Sequence, residues 1–107
     1  MTNRAYHPQS HQNLLIKLDG IDSEEISAKS ALALKLNELI EKRNLNQTEV
    51  ATITGMSQPK VSQVRRYKLQ NISLERLMLA LVSLDQQVEI VVQPAQPSKR
   101  ASLTVTA

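Results

Sequence analysis

The sequence predicts an all-α domain of four to five helices followed by one short C-terminal β-strand. Three observations predict it. Apolar residues recur at three- and four-residue spacing through most of residues 23–84. Capping residues stand where these runs begin or end. A single β-branched run, QVEIVV, follows at 87–92. With 107 residues there is room for one small domain. We place it at residues 14–92, between a polar flexible tail at 1–13 and a Pro-bearing flexible tail at 93–107.

The first helix is expected over residues 23–43. Asp22 or Ser23 can cap it, and Glu24 and Glu25 suit the positive end of its macrodipole. Leu32, Leu36, Leu39 and Ile40 form its apolar stripe. Lys42 and Arg43 suit its C-terminus, and Asn44 can end it in a left-handed conformation.

Two short helices come next, over 47–53 and 58–67. A glycine and a proline stand where they meet, four residues apart, the first between the helices and the second at the start of the later one, and neither breaks a helix. Gly55 fits the turn, where a positive φ is needed and a Cβ would clash. Ser57 can cap the second helix, and Pro59 falls in its first turn, where no intrahelical N–H bond is lost. A last helix over 74–84 has Ser73 as N-cap and Leu74, Leu77, Met78 and Leu81 as its stripe.

In the run at 87–92, Val88, Ile90 and Val92 alternate with Glu89 and Val91. A lone strand cannot satisfy its own backbone groups. A copy from a second subunit is the simplest partner, which makes Val88, Ile90 and Val92 the expected dimerisation residues. A domain this small buries only about 60% of its unfolded surface, so dimerisation would also stabilise it.

Composition narrows the function. There is no cysteine, so disulfides and thiolate metal sites are excluded and a cytoplasmic location is expected. The N-terminus lacks the apolar segment of a signal peptide, and no run of 18 apolar residues exists. Net charge is only +3, but Lys60, Arg65, Arg66 and Lys68 lie in nine residues that contain no acid. That concentration suggests an anionic partner on one face; the blander reading is a solvated helix face.

Spacing in QTEVATITGMSQPKVSQVRRYK carries more. Counting Gln47 as the first position, small Ala51 is fifth, Gly55 ninth, Val61 fifteenth and Val64 eighteenth. This resembles the helix-turn-helix of the Xre/Cro/phage-repressor family, and among its members the small HigA-like antitoxins. The long preceding helix, the leucine-rich helix after it and a final VEIVV-like strand fit the same group. The resemblance covers residues 24–92 and implies a lambda-repressor-like fold. Two positions depart from the pattern: the eighth, usually apolar, is Thr54, and Tyr67 stands where the family commonly has glycine.

The resemblance implies a sequence-specific, double-stranded DNA-binding transcriptional regulator, most simply a repressor, whose second motif helix lies in the major groove. Ser57, Gln58, Lys60, Ser62 and Gln63 are then the base-reading candidates. Gln58 and Gln63 suit adenine, and Lys60 suits guanine. Gln47 and Thr48, at the start of the preceding helix, and Arg65, Arg66 and Lys68 are the phosphate-contacting candidates. Two half-sites of a palindromic operator, one DNA turn apart, require a homodimer. By the same resemblance the chain is an antitoxin that holds a small basic ribonuclease toxin and represses its own operon; the alternatives are a stand-alone repressor without a toxin and a protein-interaction module whose main role is toxin binding. The acidic first helix and the N-terminal tail are the candidate toxin surfaces.

Enzymatic readings find little support, and no cofactor or metal is expected. His7 and His11 are four apart but sit beside Pro8 in a polar tail. Asp19, Asp22, Glu24 and Glu25 lack the spacing of a calcium loop. No glycine-rich phosphate loop, nucleophile elbow or Cys/His pair is present.

Overall fold

The structure is a computed structural model. It describes residues 11–107, with side chains inside the first helix described from Ser23 onward. The described residues form four helices: α1 (His11–Lys42), α2 (Gln47–Thr54), α3 (Gln58–Arg65) and α4 (Leu74–Ser83). This is the all-α helix-turn-helix arrangement expected of the sequence, with two differences.

The first difference is the start of α1. The expected cap at Asp22 or Ser23 is passed over, and the helix runs from His11. Leu14, Leu15 and Leu18 are good helix formers, and the stretch holds no proline after Pro8. Gly20 costs a helix interior about 1 kcal/mol, which is tolerable within a long helix. Residues 11–13 of the expected tail therefore belong to α1, and residues 1–10 lie outside the described residues.

The second difference is the strand. No strand forms among the described residues. Val88 packs against the core, but Ile90, Val91 and Val92 are 74%, 74% and 91% exposed, so the expected alternation of faces does not appear. The reason is physical: one strand in one chain has no ladder partner. The C-terminal tail folds back instead. Leu103 N–H donates to Glu24 Oε1 at 2.6 Å, and Val105 packs on the core.

The core is aliphatic throughout. Leu36 of α1, Val50 of α2, Val61 and Val64 of α3, Ile72, Leu77 of α4 and Leu84 are fully buried. Ala33 and Ala80 are also fully buried, and their small side chains let α1 and α4 approach closely. Lys29 is buried to 8% exposure yet satisfied. Its Nζ donates to Leu69 O at 3.2 Å and pairs with Glu25 at 3.3 Å, which pins the α3–α4 loop to α1.

Every helix ends in a left-handed residue. Asn44 (φ 56°), Gly55 (76°), Tyr67 (58°) and Asp85 (65°) follow α1, α2, α3 and α4 respectively. Three of these ends share one hydrogen-bond pattern. Leu45 N–H donates to Ile40 O, Lys68 N–H to Gln63 O and Gln86 N–H to Leu81 O, at 3.0, 2.8 and 3.0 Å. These are the six-to-one bonds of a Schellman motif, and each satisfies a carbonyl that the helix end would leave free.

Candidate nucleic-acid interface

The α2–turn–α3 unit is built by its caps. Asn46 and Glu49 form a capping box at the start of α2: Glu49 N–H donates to Asn46 Oδ1 at 2.8 Å and Asn46 N–H to Glu49 Oε1 at 2.9 Å. Gly55 closes α2, its N–H donating to Ala51 O at 2.9 Å. Ser57 caps α3 as expected, accepting from Lys60 N–H at 3.3 Å, and Pro59 lies in the first turn.

Thr54 has a specific use in the turn. It is 7% exposed, and its hydroxyl donates to Val50 O at 2.7 Å while accepting from Met56 N–H at 3.2 Å. A purely apolar residue could pack here, but it would leave the Met56 amide without this acceptor. Arg76 of α4 reaches back, donating from Nη2 to Thr54 O at 2.9 Å. The turn is thus fixed from the helix before it and from α4.

With the turn fixed, α3 shows two faces. Val61 and Val64 are buried, while Ser57, Gln58 and Lys60 are exposed at its N-terminal turn. Gln47 and Thr48 are exposed at the N-terminus of α2. Ser62 and Gln63 are half-buried, and Gln63 Oε1 is shielded from solvent with no hydrogen-bond partner among the described residues.

The cationic candidates divide in two. Lys60, Arg66 and Lys68 are exposed and carry no ion pair among the described residues. Arg65, by contrast, is held by α1: Nη1 donates to Asn37 Oδ1 at 2.7 Å, and Nη2 lies 3.4 Å from Glu41 Oε2. Asn37 and Glu41 were not among the residues singled out from sequence. Their four-residue spacing puts them on one face of α1, but nothing local to either points to a partner 24 or 28 residues away. Arg43 is also structural, donating to Leu84 O at 2.7 Å.

A family model described as a helix-turn-helix domain matches residues 18–93. A solved structure of a "Putative XRE Family Transcriptional Regulator" is 43% identical, with a TM-score of 0.73, covering 80% of this chain and 97% of that one. The chain belongs to the Xre-type helix-turn-helix family. No curated protein matches it.

As an Xre-type protein it departs from the family pattern at Tyr67, and the structure gives the consequence. Tyr67 takes the left-handed conformation that glycine adopts without strain, at φ 58°, and keeps the helix end intact. Its ring remains nearly half exposed, beside the exposed Arg66 and Lys68. The acidic residues weighed as a cation site are otherwise engaged where their side chains are described: Glu24 accepts from Leu103 N–H, and Glu25 pairs with Lys29. The His7–His11 pair lies outside the described side chains. No described helix is long and apolar enough to cross a membrane.

Proposed function

We propose that the chain is a sequence-specific double-stranded DNA-binding regulator that acts as a repressor. The observation that carries this reading is the division of α3. Val61 and Val64 bind the helix to the core, and Ser57, Gln58 and Lys60 are left exposed at its N-terminal turn beside the exposed start of α2. A single helix fits the major groove, and its first turn is the part that reaches base edges. Gln47 and Thr48 contact phosphate from α2, and Arg65, at the end of α3, does so with Arg66 and Lys68 just beyond it. Sequence is read by Gln58 and Lys60, together with Ser57, Ser62 and Gln63.

One copy covers one half-site. The dimer forms through residues 87–92, whose unpaired run of Ile90, Val91 and Val92 finds its ladder in a second copy. The testing experiment is titration of the full chain onto short palindromic duplexes at several salt concentrations. Affinity is expected to fall steeply with salt, as released counterions require. Weak binding that ignores salt would reject the reading.

The finer reading is an antitoxin that holds a small basic ribonuclease toxin and represses its own operon. It is supported by the resemblance of the long first helix and the motif sequence to HigA-like proteins. Co-expression with each small neighbouring reading frame tests it. Growth rescue with copurification is the expected result, and a stand-alone repressor would give neither.

A further inference from the structure

Arg65 is the one cation of the basic run that has an acidic partner among the described residues. Its guanidinium lies between two α1 side chains of different character. Asn37 is 5% exposed, and its orientation is fixed at both ends: Nδ2 donates to Val64 O at 3.0 Å, and Oδ1 accepts from Arg65 Nη1 at 2.7 Å. Only one assignment of the amide satisfies both partners. Asn37 therefore anchors one edge of the guanidinium and the last turn of α3 at once. The other edge faces Glu41, whose side chain is 71% exposed, at 3.4 Å. That contact is long and wet, and exposed pairs of this kind contribute little to stability.

A guanidinium has five N–H donors in a planar fork suited to two oxygens of one anion. Asn37 leaves most of that fork free, and Glu41 is its only anionic partner among the described residues. Resting on the DNA-binding reading, we infer that Glu41 is an intramolecular stand-in for a DNA phosphate. It holds the outer edge of Arg65 in the free protein and is displaced when the duplex backbone arrives. Asn37 keeps the guanidinium aimed throughout, so the exchange moves no backbone. The exchange gives up the Glu41–Arg65 pair, and that cost weakens binding to every sequence alike. Glu41 thereby lowers non-specific affinity without touching a base, because phosphate contacts carry no sequence information.

The test is salt-dependent duplex binding by the full chain, compared with Glu41→Gln, Arg65→Gln, the double variant, and Glu75→Gln as a control of equal charge change at an exposed site on α4. Glu41→Gln is expected to tighten binding several-fold on specific and non-specific duplexes alike. The slope of log affinity against log salt should stay nearly the same, because Arg65 reaches the phosphate in both chains. In the Arg65→Gln background the same substitution should do almost nothing, and Glu75→Gln alone should give a much smaller gain. The proposal is overturned if Glu41→Gln leaves affinity unchanged, or tightens binding equally with Arg65 absent. Should the wild-type chain bind no duplex in a salt-dependent way, the DNA-binding reading itself fails, a result distinct from either.

Discussion

Arg76 of α4 donates to the carbonyl of Thr54 at 2.9 Å, and its Nη2 would lie 3.2 Å from a Cβ placed on Gly55. The turn that sets α3 against α2 is therefore closed from outside by a helix that takes no part in the motif. This explains why the two-helix unit holds its angle within so small a core. The left-handed Gly55 turns the chain, the Thr54 hydroxyl satisfies the Met56 amide, and Arg76 satisfies the Thr54 carbonyl.

Gly55→Ala should destabilise the fold by roughly 1–2 kcal/mol from the left-handed backbone alone. The 3.2 Å approach to the Arg76 guanidinium adds a smaller cost, since a flexible side-chain end can move. Chemical denaturation measures the sum. A variant as stable as the parent would mean that the turn is not held at positive φ.

Thr54→Val keeps the shape and removes the hydroxyl. A buried amide left without an acceptor costs about 1–3 kcal/mol, so loss of stability is expected. The opposite sign would mean that Thr54 behaves as the apolar residue common at this position.

Tyr67→Asn should keep the end of α3 and ease its backbone, because asparagine tolerates the left-handed region better than an aromatic residue. A rise in melting temperature is expected. A fall would show that packing of the half-exposed ring outweighs the strain at φ 58°.

Gln58→Ala should cost roughly 1–3 kcal/mol on the preferred duplex and relax one base position. Equal loss across all sequences would remove Gln58 from the readers. Lys68→Ala should weaken binding uniformly and lower the salt slope by about one.

Ile90→Lys with Val92→Lys should leave the monomer's stability unchanged, since both side chains are more than 70% exposed. Sedimentation is expected to show loss of the dimer. A double variant that stays dimeric would place the interface elsewhere.

The sequence made the motif legible because its signals are local. Gly55, Ser57, Pro59 and Asn44 each act within a few residues of themselves, and each does in the structure what its chemistry suggested. The left-handed ends at Tyr67 and Asp85 were harder to see, because with only two glycines in the chain these positions fall to residues that do not advertise them. The start of α1 was missed because Asp22 and Ser23 look like caps wherever they stand. Long-range pairs were invisible: Asn37 with Arg65, Arg76 with Thr54, and Glu24 with Leu103 are 28, 22 and 79 residues apart. The candidate site was legible as a set of exposed polar residues on α3. That Arg65 is shared with α1, and that Gln63 is partly turned inward, depends on how the helices pack.

The most direct measurement is selection of bound duplexes from a random pool by the full-length chain, with the Gln58→Ala variant selected in parallel. The expected result is a palindrome with half-sites about 34 Å apart, one turn of DNA. The variant should lose preference at one position in each half. Recovery of no common sequence, or of the same sequence with Gln58 removed, would contradict the assignment of α3 as the helix that reads DNA.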